Sequence, residues 1–448
     1  MEQKLMNRIM LTDYDVISKL EDYNWLADIE TEINNKGSYI YVLEKDDEEL
    51  KEKGVKLVSR FHDKLMTQQY IGIVQRQDTT VFIKSRFDNG DNSYFTNYVL
   101  SKALNIKSFI FPNMSVEVGR EAALQKLLII VFMHQINEVY NRGILRSYRV
   151  YKENNDKLKG KIDVVRHVKE NMLFAGKIAY EHREYTIDNE VNRLIFTAYV
   201  MMEQREPLLV RNLLKKNREA ASYFRQLRNV IHPASRQEIP KLIQRNRKKI
   251  SHSIYRCWDD VRQTAILFLQ NAGVNIAKED SKTIYGVLID MNRIWEMYLM
   301  NIFETGKVAG IKAQEKKEIL FEVNSNSSQS ALKPDFLLEN KLVLDAKYKR
   351  NWSEVAAGKV NTWPREDVFQ VLSYMYLFGC NRGGIICPAT DEAAEKIECG
   401  LEKKDDFKSM TLFPLKIPNE GIKSYEDFEE KMKTAEEKLI QDIKEILS

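Results

Sequence analysis

Apolar positions along this chain follow two periods, and the switches between them mark its parts. Residues 38–43 (SYIYVL), 55–61 (VKLVSRF), 69–74 (QYIGIV) and 80–85 (VFIKS and its preceding Thr) are short runs rich in β-branched and aromatic side chains, which predicts strands. The last two flank a polar segment, 75–78, and so predict a hairpin. Residues 11–23 have helical spacing, and 88–93 (DNGDNS) reads as a loop. Over 121–141, Leu124, Leu127, Leu128, Val131, Phe132 and Ile136 recur at helical spacing, and Gly143 fits a helix stop. Residues 148–152 look extended, and 189–203 predict a second strong helix.

Two more helices are predicted over 253–271 and 282–305. Strands then alternate with a helix: strands 318–323, 332–339 and 341–347, helix 365–378, strand 383–387. A charged amphipathic helix covers 425–448. The expected organisation is a multidomain α+β and α/β protein. A mixed α/β region, 1–117, is followed by a helical middle, 118–272, and by a C-terminal domain, 273–448, with a mixed central sheet flanked by helices.

Composition narrows the class. With 448 residues, 44% of them hydrophobic and 30% charged, the chain can bury a sizeable core. The longest apolar run, 127–133 (LLIIVFM), falls far short of the roughly 20 residues that span a bilayer. The four cysteines form no CxxC pair, and the first residues lack an apolar signal core. These features predict a cytoplasmic protein with free thiols and no membrane contact.

The net charge of +4 hides a local imbalance. Residues 201–262 hold 15 Lys and Arg against 6 Asp and Glu, a local excess of +9, which leaves the rest near −5. Lys215, Lys216, Arg245, Arg247, Lys248 and Lys249 belong to this block and are candidate DNA-backbone contacts. The block also fits a solvated helical face or a docking surface for an acidic partner.

The chemistry concentrates in 333–348, KPDFLLENKLVLDAKY. Asn340-Lys341 makes a tight turn between two apolar runs, so the segment predicts a β-hairpin. Asp335 opens its first strand, and Asp345 and Lys347 end its second. In an antiparallel pair the start of one strand lies beside the end of the other. Asp345 and Lys347, two apart, share a face. Two carboxylates and an amine then converge. Carboxylate oxygens suit Mg²⁺, and a nearby lysine can orient or deprotonate water, or stabilise charge on a phosphate. Pro-Asp also opens ordinary turns, and D-x-K also ends ordinary strands as a solvated pair. Upstream, Glu296 in a mainly apolar helix is a candidate third carboxylate. Downstream, Gln370 and Tyr374 share a helix face at i, i+4.

The order of a helical Glu, Pro334-Asp335, Asp345-Ala346-Lys347 and Gln370-x-x-x-Tyr374 resembles the PD-(D/E)xK nuclease superfamily in its RecB-like form, and more closely the McrC family of McrBC restriction systems. Residues 158–163 (LKGKID) with Arg166, residues 185–193 (YTIDNEVNR) and Asp290-Met291-Asn292 resemble that family's middle region. The resemblance runs from about 120 to about 390. It implies a PD-(D/E)xK restriction-endonuclease-like C-terminal domain and a Mg²⁺-dependent DNA endonuclease. Asp335, Asp345 and Lys347 would be catalytic, and Glu296 would join the two aspartates at the metal. Gln370 and Tyr374 would support the site. It implies a hexameric McrB-like AAA+ GTPase as partner and cytosine-modified double-stranded DNA as substrate. The chain has no GxxxxGK[ST] motif, so GTP would act only through that partner. Two other readings are a stand-alone RecB-like repair or defence nuclease and a non-catalytic activator of an AAA+ motor.

Overall fold

The computed structural model describes residues 7–17, 24–27, 39–43, 56–61, 64–76, 79–89, 92–104, 117–173, 176–271, 284–308, 310–313, 317–323, 326–338, 341–390, 396–403 and 406–447. It forms two compact units, one of residues 1–120 with 280–448 and one of residues 121–279. The outer two of the three expected parts share one unit.

The reason is a strand that sequence periodicity misassigns. Helical spacing over 282–305 conceals strand Ile284–Asp290, and only Met291–Thr305 is helical. Asp290 caps that helix, its carboxylate accepting from the Asn292 N–H at 3.0 Å. The strand inserts between Tyr70–Arg76 and Tyr39–Leu43 in a five-stranded sheet completed by Thr79–Lys84 and Asn7–Thr12. Strand Asn7–Thr12 also corrects the expected helix at 11–23: Ile9 and Leu11 face the core while Met10 is exposed, a period of two. The expected hairpin of 69–74 and 80–85 is present as Tyr70–Arg76 antiparallel to Thr79–Lys84. Gly72 sits at φ 137°, and a Cβ there would come within 2.2 Å of the Val287 carbonyl oxygen, so only glycine lets these strands pair.

The same unit contains a six-stranded mixed sheet, ordered Ile311–Ala313, Phe336–Leu338, Leu342–Ala346, Arg382–Ala389, Asp406–Lys416, Ile397–Lys403. Leu342–Ala346, Arg382–Ala389 and Asp406–Lys416 run parallel, so their carboxyl ends share one edge. Every residue of Leu342–Ala346 is buried, as expected of a strand covered on both faces. Helices Arg350–Ala356 and Arg365–Phe378 pack on one face through Trp352, Val355, Val371 and Met375. Phe303 of helix Met291–Thr305 meets Phe336 edge-on at 5.1 Å, on the other face. In the C-terminal helix Tyr425–Leu447, Glu436 Oε1 accepts the hydroxyls of Tyr98 and Tyr298, each at 2.8 Å.

The two sheets are joined at Arg86. Its backbone N–H and guanidinium donate to the buried Asp13 carboxylate at 2.5 and 2.9 Å, and its NH2 donates to the Tyr348 carbonyl. The Tyr348 hydroxyl lies 2.7 Å from Ser85 Oγ.

In the second unit, helices Glu117–Tyr140, Glu190–Arg205, Arg218–Arg228 and Trp258–Asn271 pack around aromatic contacts such as Tyr199 on Phe224 at 3.8 Å. The strand of Ser147–Asn155 pairs with Ile178–Thr186, which also pairs with Lys161–Ile162. Among the described residues, no helix is long and apolar enough to cross a membrane.

Two stability outcomes follow. Arg86→Ala strands the buried Asp13 charge, which should cost about 3–5 kcal/mol. The unfolding midpoint should drop, and adding Asp13→Asn should recover part of the loss in differential scanning calorimetry. Asp88 is the second case. Burial pushes its carboxyl up to about 7, against the pull of hydrogen bonds from Thr96. The folded state thus holds a proton that the unfolded chain has lost above about pH 4. That contribution is complete at lower pH and disappears as pH rises through 7. Asp88→Asn should therefore flatten the fall in unfolding midpoint between about pH 5 and about pH 8.

Candidate active site

The hairpin brings its three candidates together. Phe336 pairs with Leu344 and Leu338 with Leu342, so Asp335 lies beside the end of the second strand. Asp335 Oδ2 accepts the Ala346 N–H at 2.7 Å, tying the aspartate across the strands. The Lys341 N–H donates to Leu338 O at 2.9 Å and closes the turn. Asn340, the other turn residue of the expectation, lies outside the described residues. Leu337 and Val343 pack with Tyr374 and Cys380 beneath helix Arg365–Phe378. Alternation then directs Asp335, Asp345 and Lys347 toward the same helix.

Lys347 is the hub. Its Nζ lies 2.7 Å from Asp345 Oδ2 and 3.6 Å from Asp367 Oδ1, and donates to Gln370 Oε1 at 2.8 Å. Gln370 Nε2 donates to the Tyr374 hydroxyl at 2.8 Å, so the i, i+4 pair forms one relay ending on the lysine. Asp367 is a site residue that sequence reasoning passed over. It is buried and accepts from Lys349 Nζ and Trp352 Nε1, each at 2.7 Å. The available signal was its spacing, three before Gln370 and seven before Tyr374, on one helix face.

Electrostatics separates the roles. Burial first, then the charges of Asp345 and Glu296, push Asp335 well above the ordinary carboxylate range. Burial also raises Asp345, although Lys347 pulls against it. Burial alone would lower the Lys347 ammonium, but Asp345, Asp367 and Asp335 raise it above the usual lysine value. Lys349, Lys347 and Trp352 outweigh burial at Asp367 and lower it. Burial pushes the Tyr374 hydroxyl up to about 12, with the Gln370 bond opposing.

Glu296 stands apart. Its carboxylate is held at 2.6 Å by Arg293 one turn earlier, in a helix that covers the opposite sheet face. Its charge still reaches the site: it raises Asp335, and burial raises Glu296 itself. Among the described residues, no three His, Cys, Asp or Glu side chains form a metal-holding group. Asp335 and Asp345 nevertheless fit Mg²⁺, which takes one or two protein carboxylates and keeps several waters. Asp345 Oδ2 is buried and its polar contact is the Lys347 ammonium at 2.7 Å, so the carboxylate keeps lone pairs a cation can use.

The candidate DNA contacts lie in the second unit. Lys215 and Lys216 occupy the last turn of helix Pro207–Lys216, where positive charge offsets the helix dipole. Arg245 pairs with Glu190 at 3.2 Å, and Arg247, Lys248 and Lys249 are exposed. Arg262, counted in the basic block, is instead a buried core residue bonded to Asp259 and the Asn246 carbonyl.

The mixed α/β unit thus presents two buried carboxylates and a lysine at one strand end. The family model described as "McrBC 5-methylcytosine restriction system component" matches residues 65–388, and the chain belongs to that family. Two solved assemblies are similar. One is a refined half-complex from a tetradecameric assembly of Thermococcus gammatolerans McrB AAA+ hexamers with bound McrC: 14% identity, 96% of this chain and 100% of that chain covered, TM-score 0.42. The other is the Thermococcus gammatolerans McrBC complex: 16% identity, 66% and 87% covered, TM-score 0.29. A search of the curated proteins gives no match.

The carboxylate pair makes a metal prediction. Mg²⁺ or Ca²⁺ should raise the unfolding midpoint of the wild-type chain, because a ligand held by the folded state alone stabilises it. Asp335→Asn and Asp345→Asn should each remove that rise in differential scanning fluorimetry. Because both carboxyls are raised, the rise should grow with pH as they lose their protons.

Proposed function

We propose that the chain is the McrC-type endonuclease subunit of a modification-dependent restriction system, with a PD-(D/E)xK active site that hydrolyses DNA phosphodiesters. The observation that carries this reading is the convergence of Asp335, Asp345 and Lys347 at the carboxyl end of a buried strand, in a chain of the McrBC family.

Asp335 and Asp345 would hold Mg²⁺. When bound, the ion polarises the phosphodiester and supplies an activated water. Lys347 is held as an ammonium by its three acidic neighbours, so it acts as a charge donor rather than a proton acceptor. Its position suits the negative charge that develops on the phosphate oxygens. Gln370, steadied by Tyr374, aims the ammonium. Asp367 takes up Lys349 and anchors Trp352, keeping the helix seated on the strand. Glu296, paired with Arg293, adds negative potential beside the two aspartates.

The same reading assigns motor work and recognition of modified cytosine to a hexameric McrB-like AAA+ GTPase, through which alone GTP acts. The second unit offers apolar surface for such a partner: Val164, Val165, Val168, Met172 and Leu173 are all exposed. The reading places the protein in the cytoplasm, where it meets invading DNA.

Cleavage of methylated duplex with Mg²⁺, assayed with and without GTP and an McrB-like GTPase, tests the assignment. Asp345→Ala and Lys347→Ala should each lower cutting by at least about 10²-fold, while GTP hydrolysis by the assembled complex persists. Undiminished cutting by Asp345→Ala would sink the catalytic assignment.

A further inference from the structure

Strand Leu342–Ala346 ends its pairing at Ala346, opposite Ile386. The Lys347 N–H still donates to the Ile386 carbonyl at 2.9 Å, and residues 347–349 then lead, outside any strand, into helix Arg350–Ala356. Alternation sends Lys347 and Lys349 to one side and Tyr348 to the other. Both ammoniums reach Asp367 Oδ1, at 3.6 and 2.7 Å, while the Tyr348 side chain is fully buried. Tyr348 is thus the pivot between two lysines of the candidate site.

The groups that hold this pivot belong to the same compact unit but come from far earlier in the chain. Arg86 NH2 donates to the Tyr348 carbonyl. The Ser85 hydroxyl lies 2.7 Å from that of Tyr348, and the Tyr14 carbonyl accepts from Arg350 at 3.0 Å. Arg86 is itself held in place. Its backbone N–H and NH1 donate to Asp13, and its guanidinium lies 4.9 Å from the Tyr14 ring centroid as well as against the rings of Tyr348 and Phe87. Ser85 fixes the far end of the tyrosine ring, whereas Arg86 grips the peptide that joins Tyr348 to Lys349. A charged donor holds a carbonyl more strongly than a neutral one. A lysine at position 86 could balance Asp13. Its single ammonium lacks the planar fork that bonds carboxylate and carbonyl at once and stacks on rings.

We infer that Arg86 is a positioning residue of the nuclease centre, acting through the Tyr348 carbonyl to set Lys347 and Lys349 against Asp367. The inference rests on the nuclease reading above. It adds that the first part of the chain, expected as a separate region at 1–117, carries a residue on which the reaction depends. Arg86 touches neither the reacting phosphate nor the metal carboxylates. Its effect is on where the lysines stand, and a displacement of about 1 Å in such a group can cost about 10²-fold in rate.

The test compares full-length Arg86→Lys with the wild-type chain. The variant keeps a cation beside Asp13, so its unfolding midpoint should fall less than that of Arg86→Ala. Hydrogen exchange at the Lys347 amide should quicken by at least about tenfold, the scale of one lost charge-assisted hydrogen bond. In the DNA cleavage assay with the GTPase partner, kcat should drop at least about tenfold at unchanged KM, because a displaced lysine weakens the transition state and not the hold on the duplex. Should the lysine variant fail to fold, Asp13→Asn/Arg86→Ala removes both buried charges together with the carbonyl bond and carries the same expectations for exchange and kcat. Wild-type exchange at Lys347 in the folded variant overturns the inference, and so does a wild-type kcat. A fall in kcat matched by a rise in KM also overturns it, since positioning of Lys347 predicts the first without the second. Asp345→Ala in the same assay keeps the two readings apart. If it still cuts DNA, the nuclease reading fails whatever Arg86→Lys does. If it is inactive while Arg86→Lys cuts at the wild-type rate, only the Arg86 inference fails.

Discussion

The guanidinium of Arg86, its side chain only 13% exposed, sets the frame for this candidate site. Arg86 follows strand Thr79–Lys84 of the N-terminal sheet and bonds the carbonyl of Tyr348, the residue after Lys347. Its charge is balanced by the buried Asp13, and its plane lies 4.4 Å from the Tyr348 ring centroid and 4.4 Å from that of Phe87. Its Nε is buried and makes no hydrogen bond, so ring faces supply much of what water would otherwise give. Arginine suits the role because its flat, weakly hydrated head can stack and donate at once. Fixing the Tyr348 backbone fixes where the chain leaves strand Leu342–Ala346, and so where Lys347 emerges.

The site is a contest between desolvation and attraction. Three carboxyls, Asp335, Asp345 and Glu296, are each pushed up by burial, and Asp335 is raised further by the other two. One ammonium at 2.7 Å offsets only part of that cost. Asp367 shows the alternative outcome: with Lys349, Lys347 and the Trp352 indole around it, its carboxyl falls below the ordinary value despite burial. The two aspartates on the strands are thus under-compensated and the aspartate on the helix is satisfied.

The hairpin could be read from sequence because its logic is local. A tight turn fixes register, and register two residues apart fixes a shared face. Gln370 and Tyr374 were legible for the same reason at helical spacing. Arg86, Asp13 and Ser85 were not, since they reach Tyr348 from more than 250 positions away. Strand Ile284–Asp290 was hidden because its apolar run passes directly into the apolar face of the next helix. The break between them was marked only by the capping Asp290. Glu296 was legible as a nearby carboxylate, while its pairing with Arg293 one turn earlier was not singled out.

That concealed strand also shapes how the unit must assemble. Gly286 pairs with Val74, 212 positions earlier, and the whole second unit lies between them in sequence. Strand Leu342–Ala346, by contrast, pairs Leu342 with Arg382, only 40 positions later. Local pairings of the second kind carry a small loop-closure cost, whereas the first kind must close a very long loop. The sheet that bears Asp345 therefore closes shorter loops than the sheet that precedes Arg86. Yet Met291 N–H donates to Gln69 O where the late strand ends, and Trp295 in the same helix donates to Ile386 O beside the site. The long-range strand closure and the candidate-site geometry thus meet at one helix start.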